Sequence, residues 1–276
     1  MTLTDVSETL LMTLYFRNLE TQRQDAIISD EKAIDIVKGI EYNFSKFDED
    51  WKSQVAVAVR TEIIDSAVQK FLDKTPKAII VNLGAGLCTR FFRLDNGQAQ
   101  WFEVDLEQVK SSWDKLIGEA ERHHFIACSV TDFSWMDVIS NALQDSDSQM
   151  LFIAEGLFMY LPEDEVKKVI LEIKNRFPGS EIVIEVIGKY LAKNTQLHRS
   201  VAQTDAKFKW GANDCKELET WEPGIQLINQ WYFSDRHRDR QGWLLKLLGY
   251  IPSVRQQAKV GHLKLSHTYS TSAANS

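Results

Sequence analysis

Cysteine is scarce in this chain, and what there is does not pair. Cys88, Cys128 and Cys215 are odd in number and stand far apart. That excludes a disulfide framework, and the absence of any CxxC pair excludes the usual zinc spacing. Reduced, buried thiols in a cytoplasmic protein are the expectation. With 5 prolines and 13 glycines in 276 residues, there is little material for a flexible linker between domains. No apolar run approaches the ~18 residues that cross a membrane. The start, MTLTDVSETLLMTLYFRNLE, has no basic lead, and Asp5, Glu8 and Arg17 break its apolar stretch, so a secretory signal is not expected. Positive charge is in deficit: 32 Lys and Arg face 39 Asp and Glu, a formal net charge of −7. Such a chain repels phosphate on average, which argues against sequence-independent nucleic-acid binding. Repeats and low-complexity tracts are also missing.

What remains is a chain long enough to bury a core without staples. Its front reads as helical. Leu10, Leu11, Leu14, Tyr15 and Leu19 recur at helical spacing, Phe44, Phe47 and Trp51 mark a looser stretch, and Val55 to Leu72 is periodic again. Then short apolar, β-branched runs begin: Ala78–Leu83, Gln100–Val104, Phe125–Ser129, Met150–Ala154 and Glu181–Ile187. Helical stretches separate them. The clearest follows Pro162, with Glu163, Asp164 and Glu165 where the helix dipole favours anions, and ends at Phe177 before Pro178-Gly179. Alternating strands and helices imply a mainly parallel sheet. Ile225–Phe233 and Lys259–Leu265 read as later strands.

The first strand stops at LGAGLCTR, Leu83 to Arg90. Glycines there let a backbone approach a ligand closely. Glu103 and Asp105 lie 19 residues beyond Gly84 and Gly86, at the end of the second strand, where acids can bond ribose hydroxyls. Dinucleotides and S-adenosylmethionine both use this arrangement. A dinucleotide fingerprint needs a third glycine, and Thr89 stands in its place. S-adenosylmethionine has no phosphate, so the missing glycine favours the methyl donor over a nicotinamide cofactor.

LGAGLCTR, WFEVDL (Trp101 to Leu106) and LFIAEGLFMYL (Leu151 to Leu161), with YFRNLE, RTEIIDSAV, SVTDFSW, RFPGSEIV and FKWGANDCKELETWEPGI, resemble the leucine carboxyl methyltransferase family. They resemble most its bacterial branch of polyketide O-methyltransferases of the tetracenomycin-synthesis type. The likeness runs from about residue 5 to about residue 240. It implies an α/β, Rossmann-like class I S-adenosylmethionine-dependent methyltransferase fold: seven strands, mostly parallel, the last antiparallel, with helices on both faces. It also implies S-adenosylmethionine as donor and no metal. By position, Arg60 resembles the arginine that pairs with the donor's carboxylate, and Gly84, Ala85 and Gly86 the turn under its methionine part. Asp105, with Glu103 beside it, resembles the ribose acid. Ser129 and Val130 fall where the family contacts adenine, and Glu155 lies near the transferring methyl. Two departures stand out: Cys88 and Ser129 replace residues the family often writes as Asp. Cys88 unsettles the capping of the loop. Ser129 weakens the bond to the adenine amine, although a hydroxyl still accepts one.

The residues expected at the reaction itself are Tyr160, after a strand end, and Arg17, in the first helix, which either closes over the site or pairs with Glu20. Tyr160 either orients the acceptor oxygen or is a core tyrosine with one hydrogen bond. His123 and His124, as helix neighbours, face different ways and make no metal pair. His198 is either a base or plain surface. Trp210, Trp221, Trp231 and Tyr232 either wall a pocket for a flat acceptor or pack around the sixth strand. The expected organisation is one domain: a helical region 1–76, a cofactor core 77–187, an acceptor cap 188–222, closing strands 223–265 and a frayed tail 266–276. The expected activity is methyl transfer to a hydroxyl or carboxylate of a small, polyketide-like acceptor, with no nucleic-acid or membrane partner. The alternatives are a nicotinamide oxidoreductase and methylation of a protein's C-terminal carboxylate.

Overall fold

The run AIIVNL becomes strand β1, Ile79–Leu83, with every residue buried. The computed structural model describes residues 8–142, 149–197 and 207–267. β1 is flanked on both sides by parallel partners, so Val81 lies opposite Phe102 of β2 (Gln100–Asp105) and opposite Phe152 of β4 (Met150–Ala154). β3 (His123–Ala127) extends the sheet beyond β2, and β5 (Ser180–Ile187) extends it beyond β4. The order is β3-β2-β1-β4-β5-β7-β6, with β7 (Ala258–Leu265) antiparallel between β5 and β6 (Ile225–Tyr232). The chain leaves β1 toward opposite sides of the sheet, to β2 and then to β4. A crevice therefore opens at the carboxyl ends of these strands, where open α/β sheets bind ligands.

Ahead of the sheet lie α1 (Glu8–Thr21), α2 (Glu31–Gly39), a 3₁₀ turn at Phe44–Phe47 and α3 (Trp51–Lys74). Asp30 caps α2 by accepting from Ala33 N. The buried face of α3, including Ile63, Ile64 and Val68, packs on Ile80, Trp101, Leu151 and Ile153. Between strands run α4 (Arg90–Leu94), α5 (Glu107–Leu116), α6 (Ser134–Ala142) and α7 (Glu163–Arg176). α7 has its three acids in the first turn and Lys174 and Arg176 in the last, as its sequence predicts. α8 (Lys189–Lys193), α9 (Gly242–Leu248) and α10 (Pro252–Arg255) follow β5 and β6.

Two expectations need correction. The third strand starts at His123, two residues before the apolar run FIACS, and ends at Ala127. His123 and His124 are thus strand neighbours, and alternation rather than helical spacing sends them to opposite faces. β7 is a full eight-residue strand, longer than its polar letters suggest, because it pairs on both edges. His198, and residues 268–276 of the expected tail, lie outside the described residues. Among the described residues no helix is long and apolar enough to cross a membrane.

Candidate active site

The glycine turn is built by backbone geometry. Gly84 and Gly86 have φ of +63° and +54°, the left-handed region that side chains with a Cβ avoid. A Cβ on Gly84 would lie 2.8 Å from Leu157, and one on Gly86 would lie 2.5 Å from Leu10 of α1. The turn is tied to β2 through Gly84 N–H to Val104 O, 2.8 Å, and Gly86 N–H to Asp105 Oδ2, 2.6 Å. The other oxygen of Asp105 accepts from Leu106 N at 2.7 Å. Burial pushes the Asp105 carboxyl up, against the pull of these two donors.

Beside the turn opens a cavity of about 210 Å³, whose walls include Arg17, Arg60, Gly84, Ala85, Glu155 and Tyr160. The structure therefore gathers six of the expected residues, drawn from α1, α3, the glycine turn and the segment after β4. Gly86, Asp105, Ser129 and Val130 are not among its walls. They lie alongside, at the ends of β1, β2 and β3. Ser129 Oγ is 2.9 Å from Thr131 Oγ1, and the Val130 carbonyl accepts from Trp135 Nε1 at 3.3 Å.

Glu103 departs from its expected place. Its carboxylate is wholly enclosed, bonded by Asn82 Nδ2 at 2.7 Å and by His123 Nε2 at 3.0 Å. A direct ribose contact from Glu103 is therefore a misreading. It alternates onto the α3 side of β2 and braces Asn82, which does line the cavity. Arg17 is also corrected: it donates to Asp30 (2.9 Å) and to the Leu87 carbonyl (3.0 Å), not to Glu20. Glu20 instead accepts from Ile27 N and from Arg240.

The polar framework of the site is a chain of alternating buried charges. Arg17 meets Asp30, Asp30 meets Arg93, Arg93 meets Asp65, and Asp65 meets Arg90, at N–O distances of 2.7 to 2.9 Å. Arg90 then meets Glu155 at 2.6 Å, Glu155 meets Arg60 at 2.7 Å, and Arg60 meets Glu185 at 3.0 Å. Burial alone would raise the pKa of Glu155, but the guanidiniums of Arg60 and Arg90 hold it well below the usual carboxylate range. Glu185 shares only Arg60 and the Gly156 N–H, and burial pushes its carboxyl up despite them. Two guanidiniums outweigh desolvation at Glu155, and one does not at Glu185. Tyr160 stands on a 3₁₀ turn after β4, packs against Phe208 at 5.5 Å, and has its pKa pushed up to about 12 by burial, with Glu185 adding to the rise.

Sequence reading missed Glu185, Asn82, Asp30, Asp65, Arg90 and Arg93. Glu185 and Asn82 carry a visible signal: each is a polar residue inside an apolar strand (EIVIEVI, AIIVNL) near its carboxyl end. The departure at Cys88 leaves a cavity-lining thiol 3.4 Å from Arg90 Nη1, with its pKa raised by burial. Thr89, which precedes α4, makes no side-chain cap and gives its hydroxyl to Asp30. Among the aromatics, Phe208 and Phe233 line the cavity, whereas Trp210 and Trp221 pack against each other at a tilt in the core and Trp231 packs on His262.

A seven-stranded sheet in this order, with its seventh strand antiparallel and a glycine turn after its first, is the class I S-adenosylmethionine-dependent methyltransferase fold. A candidate methyltransferase of Thermobifida fusca YX shares it, at a TM-score of 0.59 and 16% identity, over 91% of this chain and 94% of that one. The leucine carboxyl methyltransferase family model matches residues 10–174, more than half of the sequence, and the chain belongs to that family. It is 27% identical over 273 residues to the tetracenomycin polyketide synthesis O-methyltransferase TcmP of Streptomyces glaucescens, covering 97% of this chain and 98% of the relative. It is also 27% identical over 282 residues to the S-adenosyl-L-methionine-dependent methyltransferase dpfgK of Gibberella zeae, covering 94% and 93%. Family membership makes this chain a methyltransferase and sets the nicotinamide reading aside.

Proposed function

We propose that this protein moves a methyl group from S-adenosylmethionine to an already ionised oxygen of a small, polyketide-like acceptor. The observation that carries it is the guanidinium of Arg60, held between Glu155 and Glu185 at the wall of a cavity that opens beside the glycine turn. The residues fit such a donor. Arg60 offers a charged fork for its carboxylate. Gly84 and Gly86 form a turn on which a Cβ would collide, so the backbone itself faces the methionine part, with Ala85 between them. Asp105 stands at the strand end for the ribose, and Ser129 and Val130 beyond it for the base. The donor supplies a methyl group already activated on a sulfonium, so the protein's part is position and electrostatics.

Among the described residues that line the cavity, none offers a free carboxylate or imidazole. Tyr160 stays protonated at neutral pH with its pKa near 12. Glu155 is bound by two arginines, and Glu185 is engaged by Arg60 and Gly156 N–H. In this reading the acceptor oxygen arrives ionised. A carboxylate does so at neutral pH; a simple phenol, with a pKa of about 10, does not. In this reading Tyr160 orients the acceptor through its hydroxyl, Arg17 shuts the α1 side of the cavity, and Leu191 and Phe208 close the acceptor side.

Tryptophan fluorescence, titrated separately with S-adenosylmethionine and NAD, tests the donor. Quenching by the first alone is expected; quenching by NAD, or by neither, sinks the reading. Turnover on aromatic carboxylates against matched phenols tests the acceptor, with the carboxylates expected to lead.

A further inference from the structure

A second recess lies against the first. It has a volume of about 220 Å³ and is enclosed mainly by Trp51, Val55, Val59, Phe233, Val254 and Ala258. Ala56, Phe233 and Ala258 line both spaces. Helical spacing explains the shared wall. On α3, Ser53, Val57 and Arg60 face the first cavity, while Lys52, Val55 and Val59 face the second. Ala56 sits on the seam between these stripes, where a small side chain leaves the two spaces separated by little. The recess is on the Phe233 and Ala258 side, away from the glycine turn that faces the donor.

Its exposed surface is mostly apolar, although Lys52, Ser234, Gln241, Arg255 and Gln257 also stand on its walls. A dry cavity of ~150 Å³ lined by aliphatic and aromatic side chains holds a benzene, so this larger recess has room for a ring or more.

We propose that this recess receives the body of the methyl acceptor, an apolar ring system. Ala56 forms the threshold between that body and the oxygen to be methylated. This rests on the acceptor lying in the first cavity, as proposed above.

The test is calorimetric binding to the full chain saturated with S-adenosylhomocysteine, comparing anthraquinone-2-carboxylate with benzoate. The tricyclic acid should bind at least about tenfold tighter, since it alone reaches the recess. Val254→Phe, on a wall that the first cavity does not share, fills the recess and should erase that advantage, with benzoate and S-adenosylhomocysteine changed less than about twofold. Equal affinity for the two acids, or a tricyclic affinity that Val254→Phe leaves unchanged, overturns the proposal. Failure of S-adenosylhomocysteine to bind would be read in its own titration and strikes the donor reading instead; the two acids still report on the recess in that preparation.

Discussion

Arg60 is contested by two carboxylates and, in the proposed function, by the carboxylate of the donor. Removing it acts twice. It takes away the fork for the donor, and it strands Glu185, whose burial already pushes its carboxyl up. Breaking one half of a buried ion pair typically costs about 3–5 kcal/mol, because the remaining charge is left uncompensated. Arg60→Ala should therefore lower both stability and donor affinity, the latter by at least about tenfold. The double variant Arg60→Ala/Glu185→Gln separates the two effects. The amide keeps an acceptor for Gly156 N–H and carries no charge, so urea denaturation should show most of the stability restored. Calorimetry should still show the weakened donor binding. If affinity returned along with stability, Arg60 would be a structural residue only.

At the scale of elements, the tight point is the contact between α1 and the glycine turn. Leu10 rests where a Cβ on Gly86 would have to be, and the φ of +54° there is unfavourable for any residue with a side chain. Gly86→Ala should lose about 1–2 kcal/mol from the left-handed backbone alone, and more from the collision with Leu10. Adding Leu10→Ala relieves the collision but not the backbone strain, so the two losses should be less than additive in urea titrations. Strict additivity would mean that α1 does not sit on the turn. Elements of this kind were partly legible in the sequence. The apolar β-branched runs, the turn residues and the acid-to-base gradient of α7 are local signals, and they located the strands and that helix within a few residues. The register of the third strand was not legible, because His123 and His124 are polar letters buried or half-buried by what packs on them, namely Phe91, Trp113 and Glu103 around His123. The site divides in the same way. Residues fixed by short motifs, such as Gly84, Gly86 and Asp105, could be found from spacing. The charge chain through Asp30, Arg93, Asp65 and Arg90 joins α2, α3 and α4, and only folding makes those residues neighbours.

Over the whole molecule, the buried charges set how stability answers to pH, and the two ends of the scale have opposite signs. On the acid side, Asp30 and Glu155 are held below their ordinary values: burial opposes this, and the neighbouring guanidiniums overcome it. Their contribution is complete above the unfolded carboxylate range and is lost as pH falls through the folded values. On the alkaline side the telling group is Lys259 of β7. It is fully enclosed, and its ammonium donates to the carbonyls of Ala212 and Gln256, which ties the last strand to the segment ahead of β6. Burial lowers its pKa from 10.5 to about 8. Below pH 8 both folded and unfolded chains hold the proton, so the penalty of the buried charge is present in full and constant. Between about 8 and 10.5 the folded chain has released a proton that the unfolded chain still binds, and stability must rise with pH. Lys259→Met removes the titrating group, and comparing it with the parent cancels every other group that titrates in that window. Urea midpoints measured from pH 7 to pH 10 should therefore show the parent gaining on the variant only above about pH 8. Parallel curves across the whole range would mean that the Lys259 ammonium keeps its proton in the fold, and that its two carbonyl partners compensate its burial fully.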